Sequence, residues 1–104
     1  MQDKEFRDSF VDAQTRTFLI LQIRALREER GWTQEDLAER AGMTQEAIAR
    51  LENREYGNFT LKTLLRLSAA FDVPISVQFV EWKAWDKSMS DLSPEAMERE
   101  SYTP

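Results

Sequence analysis

Between Asp3 and Thr17, the residues Phe6, Phe10, Ala13 and Thr17 recur three or four positions apart, the spacing of one helix face. From Phe18 to Arg30 the pattern continues through Leu19, Ile23 and Leu26. No Gly or Pro lies between Met1 and Arg30, so the stretch is either one long helix or two helices meeting near Thr15 to Thr17; Gly31 ends it. The stretch TQEDLAERAGMTQEAIARLE, Thr33 to Glu52, predicts two short helices and a tight turn. Thr33 is an N-cap with Asp36 three residues on, as in a capping box. Leu37, Ala38 and Ala41 share one face, and Gly42 stops the helix where a Cβ would be penalised. Thr44 caps the second helix, whose buried face is Ile48 and Leu51. Small Ala38 lets the two helices approach closely. A pair with a short Gly-containing turn and polar residues on the outside of its second helix is what a helix-turn-helix requires.

Asn53 to Phe59 is rich in turn formers. Thr60 then caps a helix from Leu61 to Phe71, with Leu61, Leu64, Leu65 and Leu67 expected on its buried side. Asp72 ends it and Pro74 prevents its return. In PISVQFVEW the apolar Ile75, Val77 and Phe79 fall at every second position, the period of a β-strand. A lone strand leaves its own backbone groups unpaired, so the expectation is pairing with the same strand of a second copy. Ile75, Val77, Phe79 and Trp82 are then the dimer contacts, with Trp85 nearby. From Asp86 the chain turns polar and acidic and reads as a flexible tail, though Ser93, Pro94 and Glu95 form a good short helix start. The expected organisation is an N-terminal helix over 1–17, packed on its own domain or in a dimer contact; a helix-turn-helix domain over 18–72; a β-strand dimerisation segment over 73–85; and an acidic tail over 86–104.

Composition narrows the chemistry. The 104 residues suit one domain with a modest core, which such chains often complete by dimerising. The chain has no cysteine and no histidine, which removes disulfides, thiolate chemistry, most zinc sites and the commonest general base. The charged start carries no apolar run of signal-peptide length, and Phe18 to Leu21 is too short to span a membrane, so a cytoplasmic protein is expected. Net charge is −5, yet the excess sits mostly in residues 73–104, with three basic and six acidic groups. Residues 21–72 are nearly balanced, eight basic against nine acidic, and their arginines can gather on one surface. Weak non-specific DNA binding follows, so specificity must rest on fit and on pairing two subunits.

The segments RALREERGWTQEDLAERAGMT, IARLEN and TLKTLLRLSAAFDV together resemble the lambda-repressor-like, or XRE, helix-turn-helix regulators, in order and spacing, from about Gln22 to Val80. The resemblance implies a mainly α fold, here with one added C-terminal β-strand. It also implies that Trp32 packs under the motif and that helix Gln45 to Leu51 lies in a DNA major groove. On that helix Gln45, Glu46 and Arg50 occupy a narrow arc opposite Ile48 and Leu51. Gln suits adenine N6 and N7, Arg forks onto guanine O6 and N7, and Glu accepts from cytosine N4. Ala47 and Ala49 can touch a thymine methyl. Glu46 has a second reading as an i,i+4 partner that orients Arg50. The resemblance gives Gln34 a phosphate contact, and Thr33, Thr44, Arg54, Asn58 and Lys62 are further phosphate candidates. It makes Arg27 and Glu52 a structural ion pair beneath the motif. NREYG after that helix departs from commoner members, which have an immediate Gly there.

The function expected is a sequence-specific DNA-binding regulator, a repressor acting as a homodimer on an inverted-repeat operator. The alternative is an antitoxin of this fold, whose first helix or acidic tail clamps a basic toxin while the protein represses its own operon. An adjacent short reading frame for a basic nuclease-like protein would favour the antitoxin. Carboxylates are plentiful, but none sits in a catalytic constellation and no Gly-rich loop cradles phosphate, so an enzyme is not expected. No metal, cofactor or membrane partner is expected, and no second domain offers an effector pocket.

Overall fold

Asp3 opens the first helix by accepting a hydrogen bond from the Glu5 N–H at 2.9 Å. The helix then runs without a break from Lys4 to Glu29, about 39 Å at 1.5 Å per residue. In this computed structural model, which describes residues 3–53 and 58–104, it is followed by five shorter helices. The order is α1 (Lys4–Glu29), α2 (Gln34–Ala41), α3 (Gln45–Leu51), α4 (Leu61–Phe71), α5 (Trp82–Ser88) and α6 (Pro94–Met97). The expected boundary at residue 17 therefore falls inside one helix. Only the second half of α1 is buried, through Ile20, Ile23, Ala25 and Leu26. On the first half Ala13 is exposed, and Phe6 and Phe10 are 58% and 39% exposed. Phe10 meets the edge of Trp85 on α5, ring centroids 5.9 Å apart.

The core is one cluster drawn from four helices: Ile23 and Leu26 of α1, Leu37, Ala38 and Ala41 of α2, Ile48 and Leu51 of α3, Leu67 and Phe71 of α4. Trp32 packs against it, stacked on Phe71 with centroids 5.9 Å apart and planes 9° from parallel. The Arg40 guanidinium lies 4.2 Å from the Trp32 centroid, a cation–π contact. On α4, Leu67 is buried and Leu64 half-buried, but Leu61 and Leu65 are 57% and 51% exposed. The expected four-leucine buried face is thus narrower, because Leu61 and Leu65 lie round the helix from Leu67 and Phe71.

The turn between α2 and α3 depends on Gly42, which has φ 66°. A Cβ there would meet nothing within 4 Å. The requirement for Gly is therefore conformational, not steric crowding by neighbours. Gly42→Ala should cost about 1 kcal/mol, the left-handed penalty of an L-residue. For a domain of this size that lowers the melting temperature by roughly 4–8 °C, measurable by calorimetry. An unchanged melting temperature would show that the turn relaxes to another conformation.

Two expectations for the C-terminal part are corrected. No β-strand occurs among the described residues: 73–81 form neither strand nor helix, and no strand among the described residues lies beside them to complete a ladder. Nor does the segment reach residue 85, since α5 starts at Trp82 after an extended Glu81. The acidic tail is also not free. Ser93 caps α6, accepting from the Ala96 N–H, and Met97 is only 1% exposed. Gln22 of α1 donates to the Met97 carbonyl at 3.3 Å. Arg30 Nη2 donates to the Arg99 carbonyl and to Ser101 Oγ, both at 2.9 Å. The Ser101 hydroxyl in turn donates to the Phe71 carbonyl, and the Tyr102 N–H to that of Asp72. Residues 97–102 so form a strap across the ends of α1 and α4. Met97→Ala should cost about 2 kcal/mol in denaturant unfolding. A loss under about 0.5 kcal/mol, typical of surface positions, would mean the strap is undocked in solution.

Candidate nucleic-acid interface

A seven-residue helix is not stable on its own, so α3 must be held from outside. Three fixings do so. Thr44 Oγ1 accepts from the Ala47 N–H at 3.1 Å. Ile48 is 0% and Leu51 6% exposed, pinned in the core. Glu52 then caps the helix and is itself buried. With that face committed, Gln45, Glu46 and Arg50 are exposed, and Ala47 and Ala49 are half-buried. The three polar side chains predicted to read bases therefore share the outward side of one helix. Glu46 and Arg50 are not joined in any of the ion pairs found among the described residues.

Glu52 gathers donors from two other helices. Arg27 forks onto it, Nε to Oε2 at 2.8 Å and Nη2 to Oε1 at 2.9 Å. Arg27 Nη1 also donates to the Trp32 carbonyl at 2.8 Å. The Glu52 hydrogen bond raises the Arg27 guanidinium above its ordinary pKa, against the opposing effect of burial. Gln34 Nε2 donates to Glu52 Oε1 at 3.4 Å. Arg24 Nη2 donates to the Glu52 carbonyl at 3.2 Å. Hence α1, the start of α2 and the end of α3 meet at one carboxylate, which ties the two motif helices to the long one. Arg24 was not singled out from the sequence. It lies three residues before Arg27, on the same helix side, and that spacing was the available signal.

The remaining predicted contacts lie at the starts of α2, α3 and α4 and in the stretch before α4. Thr33 closes a full capping box with Asp36: Asp36 N–H to Thr33 Oγ1 at 3.0 Å and Thr33 N–H to Asp36 Oδ2 at 2.9 Å. That second bond, reinforced by the Thr33 side chain, holds Asp36 below the usual carboxylate pKa. Thr33 and Thr44 are exposed. Each hydroxyl spends its oxygen as an acceptor and keeps its proton to donate. Asn58 is exposed, and Lys62 is exposed in the first turn of α4, which Thr60 caps. Arg54 lies outside the described residues. Among the described residues no group of three or more metal-ligating side chains converges, and no helix is long and apolar enough to cross a membrane.

A scan against family models matches the helix-turn-helix family over residues 23–78, more than half of the chain. This protein belongs to the XRE, lambda-repressor-like helix-turn-helix family. Searches of curated proteins and of solved structures return no match. The matched span opens in the buried half of α1, contains α2, α3 and α4, and ends between α4 and α5. The helix-turn-helix family is a DNA-binding one, not an enzymatic one, and its members are transcriptional regulators in general. The first half of α1, α5 and the strap lie outside the match.

Proposed function

We propose that this helix-turn-helix protein is a sequence-specific repressor that binds an inverted-repeat operator as a homodimer. The observation that carries the reading is α3: a helix fixed by core, cap and ion pair, with Gln45, Glu46 and Arg50 outward. Gln45 and Arg50 supply the bidentate chemistry that distinguishes adenine and guanine in the major groove. Gln34, Thr33, Thr44, Asn58 and Lys62 take phosphates, and Arg54 is a further candidate. Two copies related by a two-fold would place their α3 helices about 34 Å apart, one DNA turn. Ile75, Val77, Phe79 and Trp82 supply the contact between copies. Occlusion of a promoter is the simplest action for a dimer seated on such an operator.

Selection from a random duplex library tests this reading. The enriched sites should be inverted repeats with half-site centres about 10 bp apart. Enrichment of an isolated half-site would remove the dimeric operator, and no enrichment would remove sequence-specific binding.

One feature favours the antitoxin as a second reading. Phe6, 58% exposed on the outer half of α1, lies outside the helix-turn-helix match. A basic partner protein docking there would use apolar surface that DNA does not need. A basic nuclease-like reading frame beside the gene, and co-purification of its product, would support that role.

A further inference from the structure

Val11, Thr15, Phe18, Gln22 and Leu26 recur every three or four residues, so they form one stripe down α1, and all of them line a single groove. From Val11 to Leu26 the stripe runs about 22 Å at 1.5 Å per residue. Leu64 and Leu67 of α4, Ile75 of the segment between α4 and α5, and Trp85 and Met89 of α5 are among the other walls. The groove is open and holds about 1120 Å³, just above the roughly 300–1,000 Å³ of small-molecule sites. Among the described residues none from α2 or α3 lines it. A molecule held there leaves the helix proposed to read DNA unoccupied. No second domain was expected to supply an effector pocket; here α5 and the segment before it build one against α1 and α4.

We propose that this groove binds an uncharged small molecule with a long apolar body and a hydroxyl group. Charge decides against an acid or an amine. Among the described residues, the charged groups lining the groove are Arg99 and Glu100, adjacent, opposite in sign and exposed. They stand at one end, where the Arg99 N–H donates to Glu29 Oε1 at the close of α1. A carboxylate there would meet Glu100 and an ammonium would meet Arg99. Anywhere else along the groove either ion would lose hydration with no counter-charge to replace it. A hydroxyl does have a partner. Gln22 already donates its amide N–H to the Met97 carbonyl, which leaves the amide oxygen free to accept. The length of the stripe favours an elongated body, since a compact one would leave most of it bare. Every wall comes from one chain, so the proposal needs no second copy and does not rest on the homodimer reading.

Nile red, an uncharged dye that brightens in apolar surroundings, serves as the probe on the full-length protein. Decanol, decanoate and decylamine share one chain length and differ in charge at neutral pH. Decanol should displace the dye more than about tenfold better than either ion, whose charge must be desolvated. Val11→Trp and Leu19→Trp, which fill the groove from α1, should each weaken dye binding by about tenfold, because added side-chain volume leaves the ligand no room. Leu65→Trp, at an exposed position that does not line the groove, should leave binding unchanged. Val11 lies outside the core cluster, so that variant keeps the test open if Leu19→Trp does not fold. Displacement by decanoate or decylamine as strong as by decanol would overturn the uncharged ligand. Unchanged dye binding in folded Val11→Trp would overturn the location. Dye binding that falls as wild type dimerises, followed by sedimentation, would make a second copy the occupant; that overturns the proposal and leaves the repressor reading standing.

Discussion

Arg27→Ala is expected to destabilise the fold by about 3–5 kcal/mol, the cost of stranding a buried charge. Glu52 has a side chain only 2% exposed, and its main counter-charge is the Arg27 fork at 2.8 and 2.9 Å. Once that fork is lost, Arg24, whose Nε is 3.6 Å from Oε1 and whose side chain is 47% exposed, remains the nearest cation. It is too solvated to replace a bidentate partner. The double replacement Arg27→Met with Glu52→Leu should recover most of the loss, because well-packed apolar isosteres of a buried pair are often tolerated. Urea unfolding of the two variants beside wild type checks this. A single-variant loss below about 1 kcal/mol would show that water reaches Glu52 freely. Stability and DNA affinity should also separate. The refolded double variant should bind DNA more weakly, because Gln34 and the end of α3 lose their common anchor.

Arg50→Ala should leave the fold intact and damage recognition. Its side chain is exposed, on the side of α3 opposite Ile48 and Leu51. A bidentate arginine–guanine contact discriminates by about 1–3 kcal/mol, or roughly 5- to 150-fold per half-site. In a symmetric dimer the loss is doubled in energy. Preference for guanine at one position of each half-site should disappear. Lys62→Ala, in contrast, should weaken binding evenly across sequences and reduce the salt slope by about one per subunit. If Arg50→Ala behaved like Lys62→Ala, Arg50 would be a phosphate contact and base reading would fall to Gln45.

What was legible in the chain was local. Thr33 with Asp36, Thr44, Thr60 and Ser93 announce helix starts because each cap is made within three residues. Gly42 announces a stop because its φ of 66° is open to few other residues. Arg27 and Glu52, twenty-five residues apart, could be paired only through resemblance to a known fold. Period two in Ile75, Val77 and Phe79 suggested a strand that the described residues do not form, because period two marks only which side chains could share a face and a strand also needs a neighbour. The tail misled for the opposite reason. Its acidic composition suggested no burial, whereas Met97 and the Arg30 bonds to Arg99 and Ser101 dock it from seventy residues away. Arg30 gave no signal, since helical spacing sets it three residues from Arg27 without indicating what would come to meet it. The narrower apolar face of α4 was missed because Leu61, Leu64 and Leu65 make an i, i+3, i+4 set that looks like a buried face, whereas the buried Leu67 lies round the helix from Leu61 and Leu65.

The central claim is that α3 reads base pairs. Its most direct test is an anisotropy titration of DNA from upstream of the gene, beside a scrambled duplex, at several salt concentrations. Wild type and the Gln45→Ala, Arg50→Ala double variant would be titrated together. The account predicts tight binding of wild type to the upstream fragment alone. It also predicts that the double variant binds both duplexes equally weakly, with a nearly unchanged salt slope, since its phosphate contacts remain. Equal weak binding of wild type to both duplexes, unaffected by the substitutions, would contradict it.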